Sequence, residues 1–150
     1  MTDGLTLGIN DSDQLIANAS VRRWFKVTQD LAYTVFSTAA TTQTALILTL
    51  PAGGIITGVK IKHRIAYAGT GITAYTLSVG ISGVAAKYAT AYDVLGTPVS
   101  ESTFQISTGT FSEDHTNSTP VIATATSTGA FLNQATAGVA DIWIEYAAAV

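Results

Sequence analysis

The chain has 150 residues, enough for one domain to bury a real core. Only 11% of them are Asp, Glu, Lys or Arg, where an average globular protein has about a quarter. The net charge of −3 argues against a surface built for nucleic acid, and the absence of cysteine excludes a disulfide scaffold, a Cys-based zinc site and a thiol nucleophile.

With 47% apolar residues and a mean hydropathy of +0.35, the surface must be covered by hydroxyls and small side chains, or must meet other protein. Oligomers and large assemblies satisfy the second condition. The opening "MTDGLTLGIN" carries neither a basic stretch nor an apolar run of the secretory type, and no apolar stretch reaches the ~20 residues of a membrane span. The expectation is a chain made in the cytoplasm, with no membrane partner.

Residues 1 to 20 read as an extended arm. Gly4, Gly8 and the polar cluster Asn10 to Gln14 break any period, yet Leu5, Leu7, Ile9, Leu15 and Ile16 are too apolar for a solvated tail. Residues 21 to 150 then read as one β-domain. "VRRWFKVT" is rich in β-branched and aromatic residues. "DLAYTVFSTAA" (30–40) fits a helical turn capped by Asp30, or a strand. "TALILTL" puts Leu46, Leu48 and Leu50 on one face and stops at the turn signal "PAGG".

The clearest strand covers 55–67, with Val59, Ile61, His63 and Ile65 on the inward parity and Lys60, Lys62 and Arg64 on the other. In "AYTLSVGIS", Tyr75, Leu77, Val79 and Ile81 point one way. In "VAAKYATAYDVL" (84–95), Val84, Tyr88, Ala91 and Leu95 recur at three and four, which predicts a short helix. "STFQIST", "GTFSED" and "TPVIATAT" read as shorter strands, and "TSTGAFLNQATAG" as a loop. "VADIWIEYA" closes the chain, with Ala140, Ile142, Ile144 and Tyr146 inward and Val139, Asp141, Trp143 and Glu145 outward. About seven or eight strands with turn chemistry between them predict an all-β antiparallel sandwich or jelly roll.

Titratable groups that could converge on a substrate are few. His63 sits between Ile61 and Ile65, which favours a buried histidine with one hydrogen-bond partner over a catalytic one. His115 lies beside Glu113 and Asp114, a weak ligand set better read as a solvated loop, and "NDSD" (10–13) lacks the later ligands of a calcium loop. No nucleophile elbow, P-loop or dinucleotide fingerprint is present, so no catalytic, cofactor-binding or metal residue is assigned. "NAS" (18–20) and "NST" (117–119) match the glycosylation acceptor by chance.

Lys60, Lys62 and Arg64 hold three of the seven basic residues in one row. Three cations are too few to hold a duplex at physiological salt. The row is either a cross-strand ladder with Asp141 and Glu145, if the two strands are neighbours, or a docking face for an acidic protein surface. Arg22, Arg23 and Trp24 combine cations with an aromatic next to the apolar arm, which reads equally as an interface anchor or, with Phe25, as one aromatic in the core and one at its edge. A carbohydrate-binding face would need a planar aromatic set, for which Trp143 with Tyr67 or Tyr75 is the candidate.

"TTQTALILTLPAGGIITGVKIKHRIAYAGTGITAYTLSVGISG" (41–83), with "YATAYDVLG" and "TSTGAFLNQATAGVADIWIEYA" after it, resembles small virion proteins of tailed bacteriophages. The resemblance implies a β-sandwich or jelly-roll module without enzymatic activity, made in the host cytoplasm and placed on the capsid surface. There it would act as a decoration or cement protein that binds the major capsid protein, often as a homotrimer. A tail, fibre or receptor-binding component is the alternative within the same class. The resemblance fixes no functional residue.

Overall fold

The computed structural model describes residues 23–96, 101–105 and 117–147, the side chains of 23–30 and 101–105 excepted. Among these residues eight strands follow in chain order: β1 (Arg23–Ala32), β2 (Thr42–Leu50), β3 (Ile55–Gly69), β4 (Ala74–Ile81), β5 (Val84–Asp93), β6 (Glu101–Gln105), β7 (Thr119–Thr128) and β8 (Ala135–Ala147). They form two four-stranded sheets of order β1-β8-β3-β6 and β2-β7-β4-β5. Strand 1 pairs with 8, 2 with 7, 3 with 6 and 4 with 5, all antiparallel. That is one long hairpin wound around itself, and the winding adds the pairs β8–β3 and β7–β4. The result is the jelly-roll form of a β-sandwich.

The core lies between the sheets. Val59 and Ile61 of β3 and Ala140, Ile142 and Ile144 of β8 meet Tyr75, Leu77 and Val79 of β4 and Val121, Ala123 and Ala125 of β7. These residues alternate along their strands, as a sheet with one buried face requires. Tyr146 is half-buried against the same cluster. The β2–β3 connection is the tight turn Pro51–Gly54, in which the Gly54 N–H donates to the Pro51 carbonyl at 2.9 Å. Gly53 takes φ +77 at its third position, a conformation that glycine adopts without steric cost.

Four expectations need correction. First, residues 84–93 form strand β5, not a helix. Its pairing with β4 shifts register on both sides of Val79–Ala89, so extra residues enter the strand. Tyr88 and Ala89 are both buried, and the uneven spacing that results imitates a helical period. Second, Leu46, Leu48 and Leu50 do not share a face. A bulge between Leu46 and Leu48 switches parity, leaving Leu46 exposed and Leu50 in the core. Third, Ile65 does not continue the inward row of Val59, Ile61 and His63. The register with β8 shifts after His63, and Ile65 is half exposed. Fourth, Tyr33–Phe36 form a 3-10 turn preceded by Ala32, with no side-chain cap; Asp30 lies on β1. A second 3-10 turn, Leu132–Gln134, falls inside the segment read as loop, and β8 already begins at Ala135. The arm and "GTFSED" lie outside the described residues.

At one end of the sandwich β3, still paired with β8 as far as Gly69, also meets the segment that follows β5. The Tyr67 N–H donates to the Val94 carbonyl at 2.8 Å, and the Gly96 N–H donates to the Tyr67 carbonyl at 3.1 Å. The Tyr67 side chain is fully buried, and its hydroxyl donates to the Leu31 carbonyl of β1. Its ring packs on Tyr75, with centroids 4.6 Å apart. Gly138 of β8, at φ +140, makes room for that ring: a Cβ there would stand 2.3 Å from it.

Candidate protein-contact surface

The outer face of the β1-β8-β3-β6 sheet carries the basic row. β3 is an interior strand with β8 on one side and β6 on the other. Because β3 and β8 are antiparallel neighbours, Lys62 stands opposite Asp141, Lys60 opposite Trp143 and Gly58 opposite Glu145. Within that frame the Arg64 guanidinium donates from Nε to Asp141 Oδ2 at 2.7 Å and from a terminal nitrogen to Oδ1 at 3.4 Å. Lys60 Nζ lies over the Trp143 ring, 5.1 Å from its centroid, a cation–π contact. Thr57 donates its hydroxyl hydrogen to Glu145 Oε1 at 2.7 Å.

The expected ladder therefore forms at its Asp141 end and takes another form at its Glu145 end. The antiparallel register places Glu145 beside Gly58 and the bulged Thr57, so the hydroxyl of Thr57 becomes its partner. Asp141 has the outward parity expected of it but is only 1% exposed, whereas the Arg64 side chain is 38% exposed. Parity decides which face a side chain takes; its cross-strand neighbours decide how much water reaches it. A carboxylate this deeply buried persists only with a charge partner and hydrogen bonds, and Arg64 supplies both.

His63 is buried on the opposite face of β3, with Nδ1 3.3 Å from the Tyr92 hydroxyl and the two rings 5.7 Å apart. It is a core histidine with a hydrogen-bond partner, as its parity implied. Among the described residues no group of three or more His, Asp or Glu could hold a metal ion, and no helix is long and apolar enough to cross a membrane. His115 lies outside the described residues.

Burial of Tyr67 and Tyr75 removes them from any glycan-binding platform. Trp143 is partly buried, with Lys60 over its ring. Desolvation holds both tyrosine hydroxyls well above the usual phenol range, with Tyr75 and Asp141 adding to the effect at Tyr67. Of the other contact candidates, Arg23 stands opposite Tyr146 and Trp24 opposite Glu145 in the register of β1 with β8. This brings the start of β1 to the sheet that carries the basic row. Leu5, Leu7, Ile9, Leu15, Ile16 and Arg22 lie outside the described residues.

One feature escaped the sequence reading, the exposure of Val35, Leu46 and Phe131 on or near β2. Phe131 borders a shallow depression lined by Thr41, Gly129, Ala130 and Gln134. Val35 belongs to the turn that leads toward β2, and its carbonyl accepts from Gln43 Nε2 at 3.4 Å. The bulge that turns Leu46 outward leaves no mark in "TALILTL".

No family model matches the chain, and no curated protein matches it. Among solved structures the fold is similar to a chain of the cyanophage Pam1 capsid asymmetric unit, with a TM-score of 0.60 and 20% sequence identity. The match covers 85% of this chain and 86% of that one. At that identity the likeness is one of fold: both chains wind their strands into the same two-sheet architecture along most of their length.

Proposed function

We propose that this chain is a non-enzymatic structural protein of a phage virion, and that it decorates the capsid by bridging neighbouring major capsid subunits. The observation that carries this reading is the likeness to a chain of a phage capsid over nearly equal shares of both chains. Equal shares mean that the two chains are of similar length, so the likeness runs along most of both. The low charge supports the same reading, because a surface poor in ions is suited to lying against other protein.

The mechanism is contact area rather than chemistry. A rigid sandwich that binds the assembled shell but not free subunits stabilises the shell by linkage, in proportion to the logarithm of its saturation. The outer face of the β1-β8-β3-β6 sheet, with Lys60, Lys62 and Arg64, is suited to an acidic patch on the capsid subunit. The N-terminal segment would add area once the body is placed, because a tethered second contact binds at high effective concentration. A homotrimer over the junction of three capsomers is the arrangement that fits this role.

Electron microscopy of purified particles tests the reading. The expected result is density for the sandwich at fixed sites on the outside of the shell, and earlier loss of shell integrity on heating when the chain is absent. Density confined to the tail, or absence of the chain from the particle, overturns it.

A further inference from the structure

Among the described residues the two sheets of the jelly roll end in four edges: β1 and β6 on one sheet, β2 and β5 on the other. An edge strand offers a row of unpaired backbone groups, and proteins blunt such edges with charges, bulges or shortness. Three of the four edges carry such devices. β1 includes Arg23, Lys26 and Asp30. β5 includes Lys87 and is bulged. β6 has five residues and begins with Glu101.

β2 differs from them. Its nine residues, "TQTALILTL", contain no charge and no proline, and among the described residues β7 is its one ladder partner. Leu46, in the middle, is 66% exposed. Val35 and Phe131, at 42% and 51%, lie near its beginning, where the Ala40 carbonyl accepts from the Leu132 N–H. Of the five exposed large apolar residues among those described, Leu46 thus lies on β2 itself, and Val35 and Phe131 lie near its start.

The sequence before the described residues contains a segment suited to this edge. Between the breaks at Gly4 and Asn10, Leu5, Leu7 and Ile9 occupy every second position, and the five residues carry no charge. It joins Arg23, at the start of β1, through residues 10–22. Such a stretch reaches up to ~45 Å when extended, longer than the ~30 Å of a nine-residue strand. Arg23 starts at the end of the sandwich where β2 finishes, because Tyr146 stands opposite both Arg23 and Ile56. The reach therefore extends beyond the chain's own edge. A five-residue strand would cover the backbone of β2 but not Val35 and Phe131 as well, whereas a second body would cover all three.

We propose that the β2 edge, with Val35 and Phe131, is the docking surface for a second copy of this chain, whose Leu5–Ile9 segment adds a strand to β2. Main-chain hydrogen bonds would give the affinity, and the alternating Leu5, Leu7 and Ile9 would set which face meets Leu46.

The test uses the full-length chain, with solution mass from sedimentation and amide exchange read along Thr42–Leu50. The native chain is expected to be an oligomer with slowly exchanging outward amides on β2. Leu46→Lys changes an exposed position, and Leu7→Pro removes a donor from the added strand. Each should reduce the mass to that of one chain and speed β2 exchange at least about tenfold, with the circular dichroism of the sandwich unchanged. A native monomer whose β2 protection is lost in Leu7→Pro would place the segment on its own chain and overturn the second copy. Protection that Leu7→Pro leaves intact would overturn the segment as occupant, and unprotected β2 amides in the native protein would overturn the proposal as a whole.

Discussion

Arg64 covers Asp141 across the β3–β8 pair, its Nε 2.7 Å from a carboxylate oxygen that faces outward by parity and is nevertheless shut away from water. The two residues are 77 positions apart in the chain, so this contact exists only once β3 and β8 have come together. Removing one partner weakens the hold on the other. Arg64→Ala takes a guanidinium from a buried carboxylate and should cost about 1–3 kcal/mol, the lower part of the range reflecting the guanidinium's own exposure. Asp141→Ala leaves a cation that can turn to solvent and should cost less than Arg64→Ala. Urea unfolding of both single variants and the double variant measures the coupling; equal, additive losses would show that the pair is not a unit.

The two stacked tyrosines should respond in opposite senses to loss of their hydroxyls. Tyr67 donates to the Leu31 carbonyl, so Tyr67→Phe leaves a buried acceptor unsatisfied and should destabilise by about 1–2 kcal/mol. The Tyr75 hydroxyl is buried with no hydrogen-bond partner among the described residues, so Tyr75→Phe should stabilise by about 1 kcal/mol. The two rings keep their contact in both variants, so denaturation midpoints compare the hydroxyls directly.

The same burial makes the sandwich sensitive to alkali. Both phenols are held above their ordinary value of 10 in the folded chain, so they keep their protons while those of the unfolded chain ionise. The stability they contribute is complete below pH 10 and is lost as pH rises beyond it, at about 1.4 kcal/mol per pH unit for each residue. Unfolding free energy measured from pH 9 to 12 should fall steeply above 10. The Tyr67→Phe/Tyr75→Phe variant should show a slope about 2.7 kcal/mol per unit shallower than the parent. Parallel slopes would mean that the phenols ionise without unfolding.

Gly138 is where β8 lets the Tyr67 ring through. Gly138→Ala places a methyl 2.3 Å from that ring, on a backbone at φ +140 that alanine rarely adopts. The ring is buried and is not the flexible end of a side chain, so relief requires backbone movement, and the expected loss is about 3 kcal/mol or more. Gly83→Ala is a fitting control: its φ of +85 is strained, but a Cβ there meets nothing within 4 Å, so only the backbone cost of about 1–2 kcal/mol should appear. Thermal melting of the two variants separates the packing cost from the conformational one.

Alternation read the face of each residue wherever a strand is regular. Tyr75, Leu77 and Val79, the inward row of β8 and His63 all lie where period two puts them. It failed at bulges. One extra residue near Leu46 or after His63 reverses every side chain beyond it, and several in β5 turned period two into an apparent period of three and four. A bulge is set by how two strands fit each other, so a single strand's sequence does not announce it. The candidate surface was legible in part. The neighbourhood of β3 and β8 was anticipated as a condition, and Asp141 as a partner; the register that pairs Glu145 with Thr57 and sets Lys60 over Trp143 is a tertiary fact. The β2 edge was invisible because it depends on where the winding of the hairpin leaves a strand with one ladder partner among the described residues.

The basic row supplies the last prediction, which concerns attachment rather than stability. If the outer face of the β1-β8-β3-β6 sheet meets an acidic capsid surface, Lys60→Gln and Lys62→Gln should weaken binding to particles that lack the chain, chiefly by slowing association. The loss should shrink as salt rises from about 0.05 to 0.5 M, because screening removes the attraction that the lysines supply. Arg64 is unsuitable for this experiment, since its removal also exposes the charge of Asp141. Trp143→Phe completes the set: it keeps a ring beneath Lys60 and should leave attachment within about twofold, because an exposed cation–π contact contributes only about 0.5–1 kcal/mol. Binding curves that are the same for both lysine variants and the parent at low salt would remove this face from the interface and leave attachment to the remaining surfaces.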